Sequence, residues 1–399
     1  MPSKASPAPR SRPGILSTRR KLKMARSAHA YVRGSTAQFY AWLREHGDRK
    51  VPQGPPVWIC GDCHVGNLGP LADSDGRIHV QIRDLDQTVV GNPNHDLIRL
   101  ALSLASAARG SNLPGVTTAH MLEEMMVGYG QALRAATRAG VDVEKPDCVR
   151  SVIRRATSRT WKHLAQERLE DLKPAIPRGT RFWSLSKREE AAIRRLFERE
   201  DVRKLIASLS SRDDHADVEL LDAAFWVKGC SSLGRLRFAV LLGVGKGKKK
   251  NQYCLVDVKE ATAAVAPRAP HARMPRNDAR RVVQGARNLS PALGNRMMAS
   301  TLAGRPVVLR ELMPQDLKLE IDQLTRDEAV EAARYLSAVI GKAHARQMDP
   351  TTRREFARSL KSRRSSRMDA PSWLWSSVVE LASIHEAAYL EHCRAYALA

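Results

Sequence analysis

Apolar residues recur at helical spacing through most of the first half of the chain. The pattern predicts a helix over about 96–108 (DLIRLALSLASAA) and further helices over 25–46, 116–139, 148–169 and 187–210. Two short apolar runs, 57–60 and 78–82, have the length of strands, and the second alternates between apolar and polar residues. Between them lies the turn-rich segment GDCHVGNLGPLADSDG. The first half is therefore expected to be mostly helical, with one inserted strand–turn–strand unit.

Strand patterns dominate the next part of the chain. They cover 223–227 and 235–242 around a glycine-containing turn, 252–258 after the basic loop GVGKGKKKN, and 306–312. A helix is predicted at 278–289, and helices return from about 327 to 397. The layout predicts an α+β protein. Residues 211–312 would form a small strand-rich lobe, and residues 26–210 and 313–399 a larger helical lobe.

Charge changes this picture more than overall composition does. The 399 residues include 66 Lys and Arg against 42 Asp and Glu, a formal net charge of +24, which attracts polyanions and phosphates. Residues 1–25 are rich in Pro, Ser and Arg and contain no acid, which predicts a disordered basic tail. Six cysteines with one close pair indicate reduced thiols, and no apolar stretch reaches the ~18 residues of a membrane span. Because no secretion signal is recognisable, we expect a cytoplasmic protein.

The densest cluster of reactive residues follows the two short apolar runs. Asp62 and Asn67 lie in CGDCHVGN, and Asp84 and Asp86 lie in IRDLD. If the strand–turn–strand unit folds as a hairpin, the two loops can converge. Two carboxylates and an amide oxygen are hard ligands that suit Mg²⁺ carrying a nucleotide, and a carboxylate beside such a metal can accept a hydroxyl proton. Taken singly, each of these residues is as well explained as a turn or cap residue.

A second cluster lies in the strand-rich segment. The turn GCSSLG carries Gly229, Ser231, Ser232 and Gly234, and Lys259 follows the apolar stretch CLVDV. A glycine hairpin lets backbone N–H groups approach phosphate oxygens, and a lysine on the adjacent strand can supply a point charge. An unpaired lysine at such a position would be costly to bury, although it could also reach solvent from a strand end.

Other interpretations of the same residues stay open. CGDCH matches the attachment motif of c-type haem, and Cys60 with Cys63 could form half a zinc site or a redox pair. Both cysteines could equally be reduced, semi-buried thiols. The basic runs at 4–26, 245–250 and 351–367 could bind nucleic acid through its phosphates. Aromatic residues are only 5% of the chain, which disfavours a stacking platform for single strands.

The chain resembles two known groups. GDCHVGN followed by IRDLDQTVVGNPNHDLIRLA is similar to the paired catalytic and metal motifs of the aminoglycoside phosphotransferase branch of the protein-kinase-like fold. From about residue 21 to 395 the chain more closely resembles the bacterial DUF2252 family, through KMARSAHAYVRGS, VKGCSSLGRLRFAVLL, VDVKEA, RRVVQGAR and AVIGKAHARQ. The kinase-like resemblance implies a two-lobed fold, with a small antiparallel-sheet lobe and a large helical lobe.

The resemblance also implies roles for individual residues. Asp62 would accept the proton of the substrate hydroxyl, and Asn67 and Asp84 would hold Mg²⁺. The turn from Gly229 to Gly234, with Ser231 and Ser232, would bind the phosphates of ATP together with Lys259. Three residues would support the site, namely His64, Asp86 and Asp96, with Asp96 bracing the catalytic loop and His64 orienting it.

The order of these motifs along the chain is unusual. In ordinary kinases the glycine loop and the lysine precede the catalytic loop, whereas here they follow it, and AVIGKAHARQ comes later still. A circular permutation accounts for this order, because a site needs only that the same groups converge. Departures from the family pattern are Cys60 in place of a histidine and the absence of a clearly placed glutamate to pair with Lys259.

The resemblance thus implies an ATP- and Mg²⁺-dependent phosphotransferase that acts on an unknown hydroxyl acceptor, and the basic charge is compatible with an anionic one. Two alternatives remain. The same fold could transfer AMP or only sense nucleotide. The protein could instead be a non-enzymatic binder of nucleic acid or another polyanion.

Overall fold

The computed structural model describes residues 6–135, 143–158, 175–207, 217–229, 233–246, 249–313, 315–317, 324–362 and 370–397. The described strands are β1 (Val57–Ile59), β2 (Leu68–Ala72), β3 (Ile78–Ile82), β4 (Val89–Gly91), β5 (Phe182–Trp183), β6 (Asp217–Trp226), β7 (Arg237–Lys246), β8 (Lys249–Glu260), β9 (Met297–Leu302) and β10 (Arg305–Leu312). The described helices are α1 (Arg12–Met24), α2 (Ala28–Gly34), α3 (Thr36–Lys50), α4 (Pro93–Gly110), α5 (Gly115–Ala135), α6 (Asp147–Ser158), α7 (Lys187–Phe197), α8 (Glu200–Ala207), α9 (Asp278–Leu289), α10 (Pro291–Gly294), α11 (Arg326–Ala345), α12 (Pro350–Ser362) and α13 (Ser372–Ala397).

The strand-rich segment forms an antiparallel sheet whose described strands follow the order β5-β6-β7-β8-β10-β9. Side chains alternate across it, as the period of a strand requires. Val240 and Leu242 of β7 enter one hydrophobic core, and Ala239 and Leu241 enter another on the opposite face. The sheet is therefore covered on both faces, which agrees with the apolar runs in its sequence.

The helical part packs around one large core. Almost every residue of α4 is buried, and α5 lies against α11. Gly128 permits the close approach of these two helices, because a Cβ there would lie 2.0 Å from the backbone oxygen of Arg334. The observed architecture is a mixed α and β protein with small antiparallel sheets and a larger helical part.

Two small antiparallel sheets bring the predicted loops side by side. Strands β2 and β3 form a hairpin, and β1 pairs with β4, so the hairpin is enclosed between the two strands of the other sheet in the chain. The chain between β1 and β2 and the chain between β3 and β4 therefore both connect the same two sheets. The backbone N–H of Arg83 donates to the oxygen of Asn67 at 2.8 Å, which joins the two loops directly.

The expected disordered tail over 1–25 is wrong for the residues of α1. Leu16 is buried in the core of the large sheet, and Arg12 pairs with Glu189 at 2.6 Å while its guanidinium stacks over Phe225. The acid that neutralises Arg12 comes from α7, far along the chain. The composition of residues 1–25 could not reveal that partner, so the sequence predicted a basic tail whose positive charge has no acidic partner.

Other boundaries also differ from expectation. Helices α7 and α8 pack against the large sheet, so the sheet-bearing part begins near residue 176 and not at 211. The helix expected over 25–46 is divided at Ser35 into α2 and α3. Strand β9 was not predicted. The predicted helical residues 136–139, 159–169 and 208–210 lie outside the described residues.

Candidate active site

A cleft of about 290 Å³ lies between the two adjacent loops and one face of the large sheet, where residues of β7, β8 and β10 line it. Seven of the residues selected from the sequence line it, namely Asp62, His64, Asn67, Asp84, Asp86, Gly229 and Lys259. Asp96 lies behind the loop, and Gly234 is not part of the lining. Ser231 and Ser232 lie outside the described residues. The structure therefore brings together residues that are separated by most of the chain.

The carboxylate of Asp62 forms an ion pair with a buried arginine. Arg99 of α4 is 0% exposed, and its Nη2 donates to Oδ1 of Asp62 at 2.5 Å. The same nitrogen donates to the oxygen of Val32 at 3.4 Å. A buried guanidinium without a carboxylate would be costly, so the pair places Asp62 at one position on the cleft wall.

Asp96 binds the backbone of the loop that carries Asp62. Its two carboxylate oxygens accept from the N–H groups of Cys60 at 2.7 Å and Gly61 at 2.9 Å. The ring of His344 lies 3.2 Å from the same carboxylate, and the hydroxyl of Tyr129 lies 2.9 Å from its other nitrogen. This buried chain connects α11 and α5 to the loop and fixes the loop backbone.

Gly61 is required at its position for two reasons. Its φ is +74°, which side-chain-bearing residues rarely adopt, and a Cβ would lie 2.2 Å from the backbone oxygen of Gln87. The hydroxyl of Tyr40 donates to the oxygen of Gly61 at 2.6 Å. The two loops consequently touch through backbone, with no side chain between them.

Asn67 joins the loops from within the cleft. Its Nδ2 donates to the backbone oxygens of Asp62 at 3.1 Å and Asp84 at 3.0 Å. The side-chain hydrogen bonds of Asn67 within the described residues all use Nδ2, and the residue lines the cleft.

Lys259 crosses the cleft from the sheet to the second loop. Its Nζ lies 3.1 Å from Oδ1 of Asp84 and 2.6 Å from Oδ2 of Asp86. Burial lowers the pKa of Lys259, but the charges of Asp84 and Asp86 outweigh that effect and raise it above its ordinary value. Burial raises the pKa of Asp84, but Lys259 and Arg237 outweigh burial and hold it well below its usual range. Asp84 is therefore ionised at neutral pH.

Asp86 behaves differently from its neighbour. Burial and the adjacent Asp84 charge raise the pKa of Asp86, although Lys259 and Arg235 act in the opposite direction. Arg281 of α9 donates to the backbone oxygen of Asp86 at 3.1 Å and also to that of Thr88. The helix after the sheet thus supports the acidic loop from behind.

A second ion pair on the sheet was missed by the sequence reasoning. Arg237 of β7 binds Asp257 of β8 at 2.9 and 2.5 Å, and both line the cleft. Burial raises the pKa of Asp257, but Arg237 outweighs it and lowers the pKa to about 2. The alternation of a strand was the available signal, because Asp257 and Lys259 are two residues apart and share a face.

The residues present fit a magnesium ion with few protein ligands. The ionised carboxylate of Asp84 and the amide oxygen of Asn67 are hard oxygen donors of the kind Mg²⁺ binds together with phosphates and water. Within the described ranges, no three His, Cys, Asp or Glu side chains are grouped so that they could hold a metal ion. A magnesium ion here would therefore take its other ligands from a nucleotide and water.

Residues 13–395 match a family model described as an uncharacterized protein conserved in bacteria, DUF2252. The chain belongs to the DUF2252 family. No curated protein and no solved structure matches it. None of the helices in the described ranges has the length and apolarity to span a bilayer. The DUF2252 match includes both loops and the sheet, so the whole cleft lies within the family region.

The cysteine pair of this DUF2252 protein is enclosed by the core. Cys60 is 0% and Cys63 is 1% exposed. Burial raises the pKa of the Cys63 thiol well above its ordinary value, so that thiol is protonated at neutral pH. Haem attachment requires sulfurs that a cofactor can reach, and these are packed beneath the loop. The arrangement favours the interpretation as reduced thiols.

Several basic residues of the cleft come from segments that no motif marked. Lys23 at the end of α1 donates to the backbone oxygen of Gly229 at 2.8 Å, across the mouth of the cleft. Arg83 donates to the oxygen of Asp316 at 3.0 Å, and Arg310 donates to that of Arg83 at 2.9 Å. These placements depend on how distant segments pack, and no local pattern in the sequence indicates them.

Proposed function

We propose that this DUF2252 protein is an ATP- and Mg²⁺-dependent phosphotransferase with a kinase-like, circularly permuted arrangement, acting on a hydroxyl acceptor. The observation that carries the proposal is the meeting of Lys259 with Asp84 in the cleft that Asp62 and Asn67 also line. A lysine, two oxygen ligands and a carboxylate around one cleft are the groups that phosphoryl transfer uses, since it relies on positioning and charge neutralisation.

Each side chain has a defined task in this proposal. Asp62, held by Arg99, orients the acceptor hydroxyl and receives its proton. Asn67 and Asp84 would hold Mg²⁺, which supplies positive charge to the phosphate oxygens when bound. Lys259 would exchange its contact with Asp84 for one with a phosphate and keep its contact with Asp86, because the triphosphate offers it a stronger negative charge.

The contacts around β1 support the permuted order. The side chain of Gln347, just after α11, accepts from the N–H of Trp58 at 2.7 Å and donates to its oxygen at 3.1 Å. His344 of α11 reaches Asp96 behind the catalytic loop. The helix that would lead into this loop in a kinase-like chain therefore ends beside it in space, although it follows it by almost 300 residues in sequence.

The partner of Lys259 departs from the kinase-like pattern. In the kinase-like pattern an acidic residue of a nearby helix pairs with the lysine, whereas in this chain Arg281 of α9, the helix after β8, donates to the backbone of the acidic loop. Glu260 is directed elsewhere, accepting from the N–H of Leu236 and pairing with Arg305. We infer that Asp86 takes the part of the missing glutamate and keeps Lys259 charged and in place.

Nucleotide sensing without transfer is the second candidate. The 2.5 Å contact with Arg99 occupies Oδ1 of the carboxylate that would have to receive the acceptor's proton. An enzyme that only binds nucleotide would tolerate that pairing. Transfer of AMP would use the same cleft with the other end of the triphosphate.

Labelled ATP distinguishes these functions. We expect the label of γ-³²P-ATP, and not that of α-³²P-ATP, to reach an acceptor in a metabolite extract in the presence of Mg²⁺. Asp84→Asn should abolish transfer and reduce the thermal shift caused by ATP and Mg²⁺, whereas Asp75→Asn, in the exposed turn after β2, should change neither.

Each other outcome favours a different function. Transfer of the α label would favour AMP transfer. A thermal shift without transfer would favour sensing. The absence of a shift at millimolar ATP, together with salt-dependent DNA binding that survives Asp84→Asn, would contradict the nucleotide site and favour polyanion binding.

A further inference from the structure

The side of the cleft nearest Asp62 is built from the amino-terminal helices. Ala30 and Arg33 of α2 line it together with His64 and Gly66 of the catalytic loop. These helices lie outside the motifs on which the kinase-like resemblance depends. The chemistry of this side therefore bears on what the cleft accepts besides a nucleotide.

Arg33 differs from the other arginines of the cleft. Arg237 is paired with Asp257, and Arg83 and Arg310 each donate to a backbone oxygen. Arg33 is half-buried and makes no hydrogen bond or ion pair within the described residues. A guanidinium carries five donors that match a carboxylate or phosphate, so a partly desolvated and unpaired one is prepared for an anion.

Gly66 shapes the place where this guanidinium lies. A Cβ on Gly66 would lie 2.9 Å from Cζ and 3.0 Å from Nη2 of Arg33. Any larger residue would push the guanidinium away from the loop. The glycine thus lets Arg33 lie directly against the loop that carries Asp62.

His64 provides a second, independent observation. It is 7% exposed, lines the cleft, and its Nδ1 has no hydrogen-bond partner among the described residues. An imidazole nitrogen can donate to or accept from a substrate oxygen, and a buried nitrogen without a partner is costly unless a ligand completes its hydrogen bonding.

The local charge also favours a negative ligand. Lysines and arginines outnumber aspartates among the residues that line the cleft. The carboxylate closest to this side, Asp62, is already paired with Arg99. An anionic group beside Arg33 would therefore meet little uncompensated negative charge.

We propose that the acceptor is a hydroxyl compound that carries a phosphate or carboxylate group, bound by Arg33 with His64 completing its hydrogen bonds. The identification of this ligand as the acceptor rests on the proposed phosphotransfer. In that reaction the acceptor oxygen forms a bond to the γ-phosphorus, the bond from that phosphorus to ADP breaks, and the hydroxyl proton passes to Asp62. A cationic amino sugar would be repelled by the same arginine.

Binding of simple anions tests the site without knowledge of the acceptor. Inorganic phosphate and, in a separate arm, acetate are titrated by calorimetry into the full chain with its nucleotide site saturated by a non-hydrolysable ATP analogue and Mg²⁺. We expect Arg33→Gln to weaken binding of the preferred anion at least tenfold. Arg33→Lys should weaken it less, because lysine keeps the positive charge but lacks the paired N–H donors of the guanidinium. The matched control Arg358→Gln, an exposed arginine of α12, should bind as the wild type does.

The two arms identify the source of the negative charge. Stronger binding of phosphate assigns a phosphorylated acceptor, and stronger binding of acetate assigns a carboxylate. Equal loss of affinity in Arg33→Gln and Arg358→Gln would overturn the inference, because binding would then reflect only the overall charge of +24. Absence of anion binding in the wild type would overturn it as well.

The proposed function fails on a different measurement. If ATP and Mg²⁺ give no thermal shift, phosphate is titrated without the analogue into Lys259→Met, a variant that lacks the other cation able to bind phosphate in the cleft. The double variant Lys259→Met, Arg33→Gln is titrated in the same way. Weaker phosphate binding by the double variant would still support the anion site, whereas equal binding by the two variants would exclude it independently of the nucleotide.

Discussion

Lys259 of the large sheet contacts Asp84 of the second loop, although 175 residues separate them in the chain. The Nζ to Oδ1 distance is 3.1 Å, and the lysine side chain is only 13% exposed. This contact, with the shorter one to Asp86, joins the sheet to the loops of the helical part. The charges that stabilise the resting protein are therefore the charges that the proposed reaction would use.

Replacing this lysine tests both roles at once. We expect Lys259→Met to remove transfer and most of the ATP-induced thermal shift, and to lower the free energy of unfolding by about 1–3 kcal/mol, because two adjacent carboxylates lose their cation. Urea denaturation and thermal shift measure the two effects. Lys204→Met, which breaks an exposed pair with Glu200, should leave both the free energy of unfolding and ATP binding nearly unchanged. An unchanged ATP shift in Lys259→Met would remove the lysine from the nucleotide site.

Variants of Asp62 and Arg99 distinguish an effect on stability from an effect on phosphate transfer. Asp62→Ala leaves the buried guanidinium of Arg99 without a carboxylate, and we expect a loss of about 3–5 kcal/mol in the free energy of unfolding. The double variant Asp62→Ala, Arg99→Met should regain at least half of that loss, because neither charge remains. Both variants should lack transfer, and the double variant should still show the ATP-induced shift. Transfer by the double variant would show that Asp62 is not needed for the reaction.

A buried histidine predicts how stability depends on pH. His95 of α4 is 9% exposed, and burial lowers its pKa to about 4. Between pH 6.5 and 4 the unfolded chain therefore binds a proton that the folded chain does not, so stability falls as pH falls, by roughly 3 kcal/mol for this residue. Urea unfolding of His95→Gln should show a correspondingly weaker pH dependence. Parallel curves for His95→Gln and the wild type would contradict the assignment.

The contact between α5 and α11 gives a prediction on packing. A Cβ at Gly128 would lie 2.0 Å from the backbone oxygen of Arg334, so Gly128→Ala should destabilise the fold by about 1–3 kcal/mol as the helices separate. Gly130→Ala on the same helix meets only the flexible end of Arg134, at 3.2 Å. That control should be neutral or up to about 1 kcal/mol more stable, since alanine favours helix. Thermal and urea unfolding of both variants compare the two positions, and equal stability would show that the helices can adjust.

Some of the site could be read from the sequence because its signals are local. The turn-rich segments after β1 and β3 marked Asp62, Asn67 and Asp84, and the alternation before Lys259 marked a strand end. Residues selected in this way line one cleft. Short-range periodicity and turn chemistry suffice for such elements, because they reflect the preferences of neighbouring residues.

Arg33, Arg99 and Arg237 could not be selected in the same way. Each lies in an ordinary helix or strand pattern, and what distinguishes it is a partner, or the lack of one, on a distant segment. The order of α1 is another example, since Leu16 is buried only because the large sheet lies against it. The energy of these contacts belongs to the pair and not to either residue alone.

The sequence by itself determined the family, the mixed α and β composition and the two loops that carry the acidic residues. Tertiary structure alone decided that the sheet faces those loops, that Lys259 binds both aspartates, and that Arg33 lines the cleft without an ion-pair partner among the described residues. The physical reason is that hydrophobic periodicity reflects residues that are close in sequence. Ion pairing and burial depend instead on which segments, distant in sequence, pack together in the folded chain.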